Sequence, residues 1–543
     1  MKINILTIIP ARGGSKGIPR KNLRLLNGKP LIYYVIKTAL NSDFNPDVYV
    51  SSEDNEILNT ATQFGAKIHK RDIGIAGDKS TLDPVIHDCY IYAANKEEKS
   101  YDFIITMQPT SPLLKKASLD DAIKKAIQNP NIETVISAKD NTHLTWIKKE
   151  GEFIPNYKKR ANRQYLTPTF SETGGFFITR KDIITAENRI GEKVELFVLE
   201  NGEEIDIDTY EDWNICEYHI RKRYILFVVT GNNQVGLGHV YNTLLIANDI
   251  LNHRLSFLVD CDSEMAYNKI ASKNYPVFKQ QHENIVDDIN SLNPDVIIND
   301  RLDTDVTYVE KLKKQNYKVV NFEDLGSGAK KADLVINAIY PEKRVQRNHY
   351  FGHNYFLLRD EFIYSEQKTV TREVKNVLIT FGGVDPNNYT KRVIQSIYQY
   401  CLEKKIFITV ITGFGYDKYE TLKEFSNINV KGNVANISTY MLQADLIFTS
   451  AGRTVFEVAS VGTPAIVLAQ NKRELTHFFA NSEFGFLNLG LGDQVSDTEL
   501  YTSFVELVES FDSRKHMSNV MKRNDLKKSR DSVIKLIQNL IKA

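Results

Sequence analysis

Cysteine is scarce in this chain. Cys89, Cys216, Cys261 and Cys401 are the only four in 543 residues, and no pair stands at a C-x-x-C spacing. That excludes a cysteine-type zinc site and a disulfide framework, and it suits a reducing compartment. An excess of charge is missing too, since 69 Lys plus Arg face 68 Asp plus Glu for a formal net charge of +1. A chain so balanced has no broad basic field for nucleic acid or an anionic membrane, although local clusters can still hold small anions. No apolar run reaches the roughly eighteen residues of a membrane span. The N-terminus enters an apolar stretch directly, without a basic region and long hydrophobic segment ahead of it. The expectation is therefore a cytoplasmic protein that is neither exported nor inserted in a membrane.

At this length one ordinary core is too small, so two or three domains are expected. The first half alternates apolar, strand-like runs with helical patterns, the signature of a parallel sheet with crossover helices. Ile3–Ile9 reads as a buried strand and Pro30–Leu40 as a helix, and between them lies Ile9–Asn22, I-P-A-R-G-G-S-K-G-I-P-R-K-N. A loop at the carboxyl end of a first parallel strand is where open α/β sheets bind nucleotides. Gly13, Gly14 and Gly17 let backbone approach a bulky anion, and Arg12, Lys16, Arg20 and Lys21 bring positive charge for phosphate oxygens. The loop is neither a Walker loop nor a G-x-G-x-x-G turn. A triphosphate is the ligand this pattern suits, and a solvated surface turn is the alternative.

Further strands are expected at Asp47–Ser52 and Phe103–Met107, with a helix over Glu56–Phe64. The loops after those strands, Ser51-Ser52-Glu53-Asp54 and Gln108-Pro109-Thr110-Ser111-Pro112-Leu113, belong on the same sheet edge. The second joins an amide and two hydroxyls to stiffening prolines, a good arrangement for reading a base or sugar by directed hydrogen bonds. In Glu204–Thr209 acidic and apolar residues alternate, so in a strand Asp206 and Asp208 would share one face. Two carboxylates there repel unless a cation lies between them, and hard oxygen ligands of this kind suit Mg²⁺. An exposed edge strand would carry the same pair without a metal.

These segments, in this order and spacing, resemble the CMP-sialic acid synthetases, the N-acylneuraminate and legionaminate cytidylyltransferases, over about the first 220 residues. The resemblance implies that CTP and a 3-deoxy-nonulosonic acid give the CMP-sugar and pyrophosphate. It implies that Arg12 and Lys21 hold the phosphates and that Ser15 and Asn22 help place the nucleotide. Arg71, Asp78 and Ser80 belong to the matching Arg71–Thr81 segment, Gln108 faces the sugar, and Asp206 with Asp208 binds Mg²⁺. Two departures bear on the sugar pocket. Pro112-Leu113-Leu114-Lys115 stands where P-L-R is common, and Ser171-Glu172-Thr173-Gly174 where R-P-N-G is common. Arg160–Leu166, with Arg163, resembles the region through which family members pair, so a homodimer is expected.

A helix over Asp212–Arg223 closes the first half, and Tyr224–Thr230 starts a second α/β unit with scarcely any linker. Gly236-Leu237-Gly238-His239 lies at the mouth of a helix through Asn242–Leu251. There the helix N-terminus can hold an oxyanion and His239 can take a proton from water, while a histidine bonded to local backbone is the plainer reading. Successive strands are expected at Asp295–Asn299, Lys318–Phe322 and Leu334–Asn337. Another set begins at Val377–Phe381 with the loop Gly382-Gly383-Val384-Asp385. Ser450, Gly452 and Glu457, in T-S-A-G-R-T-x-x-E, resemble the nucleotide-binding end of the GT-B architecture, with Glu457 accepting from ribose hydroxyls. Residues 224–543 as a whole resemble the nucleotide-sugar hydrolase of pseudaminic acid biosynthesis. That implies loss of UDP from a 2,4-diacetamido-2,4,6-trideoxyhexose with His239 activating water.

The expected fold class is α/β, a Rossmann-like nucleotidyltransferase domain at 1–222 followed by a two-lobed GT-B-like unit with lobes at 223–368 and 369–543. The expected protein is a bifunctional enzyme of nonulosonic acid biosynthesis that takes CTP, a nonulosonic acid and a UDP-sugar, with Mg²⁺ as cofactor. A glycosyltransferase or a non-catalytic nucleotide-sugar-binding module is the alternative for the second half.

Overall fold

The strand Ile5–Pro10 is buried along its whole length. Its side chains alternate between two cores, Ile5 and Ile9 entering one and Leu6 and Ile8 the other. A strand apolar on both faces belongs inside a parallel sheet covered by helices on each side. The computed structural model places it there and describes residues 3–15, 17–75, 77, 81–232, 235–341, 347–413, 415–432 and 434–542. Contacts divide the chain into two units, Met1–Lys222 and Arg223–Ala543.

The first unit is built on a seven-stranded sheet. Its order is Val194–Val198, Thr134–Asp140, Phe170–Arg180, Phe103–Thr106, Ile5–Pro10, Asp47–Ser52, Lys67–Lys70. Only Phe170–Arg180 runs against its neighbours. The helices Leu31–Leu40 and Lys116–Gln128 close one face through Ile32, Val35, Leu119 and Ile123, and Leu82–Glu97 closes the other through Ile86 and Cys89. A separate two-stranded hairpin, Trp146–Lys149 with Glu152–Pro155, leaves Trp146 and Phe153 exposed.

The second unit holds two parallel sheets. The first lobe orders its seven strands Val277–Lys279, Arg254–Val259, Tyr224–Val229, Val296–Asp300, Lys318–Phe322, Leu334–Asn337, His349–Phe351. The second orders six as Ile428–Gly432, Phe407–Thr412, Asn376–Ile379, Leu446–Thr449, Ala465–Ala469, Leu487–Leu491. This is the doubly wound, two-lobed GT-B architecture. The lobes share an apolar cluster in which Phe356 stacks on Phe456 at 4.1 Å and Phe456 on Phe479 at 4.3 Å. The last helix, Ser529–Lys542, follows the second lobe in sequence but packs Val533 and Ile537 into the core of the first. Arg530 fastens it with two hydrogen bonds of 2.5 Å to Asp249.

Candidate functional site

In the first unit the basic loop leaves the carboxyl end of the central strand and is held by its neighbours. The Gly13 N–H donates to Glu53 Oε1 at 2.6 Å, and Arg71 donates to Glu53 Oε2 from Nε at 3.0 Å and from its terminal nitrogen at 2.6 Å. Burial pushes the Glu53 carboxyl up, but the Gly13 N–H and the Arg71 guanidinium outweigh it and leave it below its ordinary value. Asn22 is buried and its amide donates to the Arg12 carbonyl at 2.9 Å, which pins the exposed Arg12 at the loop's rim. Ser15 is half-buried in the same loop. Arg20 pairs with Glu56 on the helix Asn55–Gln63.

Lys21 crosses to the acidic segment, where Nζ donates to the Ile207 carbonyl at 2.6 Å and lies 3.3 Å from Asp208 Oδ1. Gly17 makes this approach possible. A Cβ there would sit 2.7 Å from the Asp208 carbonyl oxygen.

The opposite wall converges on Gly174, where a Cβ would meet Ser111 Oγ at 3.1 Å, Gln108 Cβ at 3.2 Å and Asp206 Oδ1 at 3.3 Å. The Gln108 N–H donates to the Gly174 carbonyl at 3.0 Å, and the Ile207 N–H to the Thr110 carbonyl at 2.8 Å. Ser111 Oγ is buried with no hydrogen-bond partner among the described residues, and the buried Thr110 Oγ1 and Asp206 Oδ1 have no well-formed bond beyond the approach of the Thr110 hydroxyl to the Asp206 carboxyl. Orphaned polar atoms in one place cost free energy in a folded chain, so the cluster is shaped for something polar that completes it. Burial pushes the Asp206 carboxyl up against the lowering effect of the Thr110 hydroxyl, and the Asp208 carboxylate adds to the rise.

Glu204–Thr209 differs from the expected strand. It is irregular because Asp212 bonds back to the N–H groups of Asp208 and Thr209 in a capping box that starts the helix Tyr210–Arg221. Asp206 is half-buried and Asp208 exposed, so the two do not share a sheet face. Among the described residues no group of three or more His, Cys, Asp or Glu side chains is arranged to hold a metal. Arg163 lies in an exposed turn, 3.4 Å from Asp140. Lys16, Asp78 and Ser80 lie outside the described residues. The buried partnership of Glu53 with Arg71 was not foreseen from the sequence, although the acidic loop that carries Glu53 is visible there.

In the second unit His239 occupies the first turn of the helix Gly238–Asp249, and its Nδ1 lies 2.5 Å from Asp300 Oδ1. Asp300 is fully buried at the end of the strand Val296–Asp300, and its other oxygen accepts from Asn242 at 3.0 Å. With Nδ1 bound to a carboxylate, Nε2 is left as the face for proton transfer. The helix N-terminus borders a cavity of about 620 Å³ between the two lobes of this unit, which Gly238, Gly383, Ser450, Gly452 and Glu457 also line. Gly383 has no protein atom within 4 Å of where its Cβ would be, whereas Gly452 faces Glu474 Oε1 at 3.2 Å.

Glu457 accepts from Arg359 Nε at 2.8 Å, while its burial raises its pKa. One of its oxygens is thus engaged within the protein. Residues unmarked in the sequence also meet here. His477 Nδ1 bonds the Ala451 carbonyl at 2.8 Å, and its Nε2 is buried with no hydrogen-bond partner among the described residues. Burial lowers the His477 pKa, which keeps the ring neutral. Nothing in its local sequence marks it, because the approach of Ala451 is made by the fold.

A family model described as Cytidylyltransferase matches residues 6–218, and one described as Glycosyltransferase family 28 C-terminal domain matches residues 377–537. The pseudaminic acid cytidylyltransferase of Campylobacter jejuni is 34% identical over 221 residues, which is 38% of this chain and 92% of that protein. The CMP-N,N'-diacetyllegionaminic acid synthase of Legionella pneumophila is 31% identical over 224 residues, 40% of this chain and 95% of that one. Of two further curated relatives the chain spans about half the length, 56% and 51%. The crystal structure of Acinetobacter baumannii MurG aligns with 58% of this chain and 99% of its own at 14% identity and a TM-score of 0.44.

Proposed function

The chain belongs, through its first unit, to the cytidylyltransferase family, and from that premise we propose that this unit transfers CMP from CTP to a 3-deoxy-nonulosonic acid. The observation that carries the reading is the convergence of Gln108, Ser111 and Asp206 on Gly174 with polar atoms left unpaired. Arg12 and Lys21 would neutralise triphosphate oxygens, and Ser15 and Asn22 would hold the loop's shape around them. The sugar's anomeric hydroxyl oxygen attacks the α-phosphorus as its proton passes to water, the bond from the α-phosphorus to the oxygen bridging to the β-phosphate breaks, and pyrophosphate leaves. Most of the help comes from alignment and charge neutralisation.

The residues present fit Mg²⁺, because Asp206 offers a buried carboxylate oxygen with no bond beyond the approach of Thr110 and Asp208 stands two residues on. When bound there, the ion would supply charge neutralisation for the triphosphate. The test measures pyrophosphate release with CTP, Mg²⁺ and a panel of nonulosonic acids. Asp206→Ala and Asp208→Ala should each lower release at least tenfold, and wild-type turnover by both would sink the metal assignment. The exposed apolar hairpin that precedes Arg163 in the chain supports pairing with a second copy, which sedimentation equilibrium would detect as twice the chain mass.

For the second unit we propose hydrolysis of a UDP-2,4-diacetamido-2,4,6-trideoxyhexose. His239 Nε2 takes a proton from water, the water oxygen bonds the anomeric carbon, and UDP leaves. What supports this is the His239–Asp300 pair on the helix whose Gly238 and Asn242 line the cleft. Transfer of the sugar to another acceptor is the second reading, favoured by the family 28 match over residues 377–537. His239→Ala should lower UDP release by about 10²- to 10⁴-fold and leave CMP transfer unchanged. UDP release that begins only when an acceptor sugar or lipid is added would establish transfer instead.

A further inference from the structure

Buried and half-buried polar side chains form a continuous link from one lobe of the second unit to the other. Arg453 immediately precedes the helix Thr454–Val461 in the nucleotide-binding lobe. Its guanidinium reaches the first lobe, where one nitrogen donates to Asn242 Oδ1 at 2.5 Å and another lies 3.7 Å from Glu323 Oε1. Asn242 is 3% exposed and one helical turn beyond His239, and its Nδ2 donates to Asp300. Asp300 in turn holds His239 Nδ1. Each member bonds the next by a group that faces one way.

An asparagine amide has a donor end and an acceptor end. While Arg453 holds the acceptor end of Asn242, the donor end must point at Asp300. Without Arg453 the amide is left with a buried unpaired oxygen or turns over and deprives Asp300 of its second bond, and either outcome is costly at a buried site. Glu323 approaches the guanidinium from the other side at 3.7 Å. The carboxylate is 4% exposed, and burial, opposed by Arg453, pushes its pKa up to about 7. A phosphate seated at Ser450–Thr454 would lie beside the same guanidinium, at a helix start that favours anions.

We propose that Arg453 is a positioning residue that couples occupancy of the nucleotide-binding lobe, through Asn242, to the orientation of the His239–Asp300 pair in the other lobe. The proposal rests on the reading of His239 as the proton acceptor. Arg453→Lys keeps a charge for phosphate but loses the planar fork that reaches Asn242 and Glu323 together.

The experiment measures UDP release from the UDP-diacetamido sugar by the full chain. In Arg453→Lys and in Asn242→Leu, kcat should fall about tenfold or more while KM stays within about threefold. The double variant should be no slower than the worse single within about twofold, because a link already broken cannot be broken again. Asn242→Ala run in parallel, with UDP affinity by calorimetry and the unfolding midpoint of each variant, separates a packing defect from loss of the link. A raised KM with unchanged kcat in Arg453→Lys, or losses that multiply in the double variant, would overturn the coupling and leave Arg453 as a phosphate contact alone. Wild-type kcat in His239→Ala would instead remove the underlying reading, and the coupling with it.

Discussion

Glu323 is a carboxyl held where water does not reach, and its stability effect has a definite sign. Its pKa rises from an ordinary 4.5 to about 7 in the folded chain. The folded state therefore keeps a proton that the unfolded chain has released, and stability from this group, fully present below pH 4.5, is lost as pH rises through about 7. Glu323→Gln removes the titration, so its unfolding midpoint should climb relative to wild type between those pH values. A constant difference across that window would refute the assignment. Gly17 is the counterpart in the first unit. Gly17→Ala drives a methyl into the Asp208 carbonyl and should lower CMP transfer at least tenfold, whereas Gly14→Ala meets no protein atom within 4 Å. Equal loss in both variants would point to a ligand approaching the loop rather than to the Asp208 contact.

At the scale of the element, the helix Tyr210–Arg221 does more than end the first unit. Its capping box binds Thr209 to Asp212, and the same Asp212 carboxylate accepts from the Asp208 N–H. Helix start and acidic loop are therefore one structure. Thr209→Ala should destabilise the first unit by about 1 kcal/mol, the usual value of a lost cap. By loosening Asp206 and Asp208 it should also weaken the Mg²⁺ dependence of pyrophosphate release. A variant with the full stability loss and an unchanged Mg²⁺ titration would separate the cap from the site.

The strands at Asp47–Ser52, Lys318–Phe322 and Leu334–Asn337 are legible in the sequence to the residue, because apolar runs between turn-forming residues mark buried parallel strands. The helix before residue 222 begins earlier than its apolar pattern, at Tyr210, because the cap and not the hydrophobic period sets its start. Glu204–Thr209 alternates like a strand and is a loop for the same reason.

At the scale of the molecule, each unit owns its cores. Those of the first are drawn from residues 3–222 and those of the second from residues 223–543. Cleavage at Lys222–Arg223 should therefore leave two fragments that unfold cooperatively on their own, as calorimetry would register. Truncation after Lys528 is a different matter. It strips Val533, Ile537 and the Arg530–Asp249 pair from the first lobe of the second unit, so the shortened chain should lose several degrees of Tm in that unit's transition while CMP transfer persists.

Sequence alone determined what is local or periodic. The alternation of buried strands and amphipathic helices, the basic glycine loop, the order of the motifs and the α/β class follow from side-chain chemistry at fixed spacing along the chain. The tertiary structure decided what distant residues do to one another. Gly13 meets Glu53, Gly174 gathers Gln108, Ser111 and Asp206, and Arg453 reaches Asn242 from 211 residues away. Such pairings carry no spacing rule, because sheet order and lobe packing set them and neighbours in sequence do not.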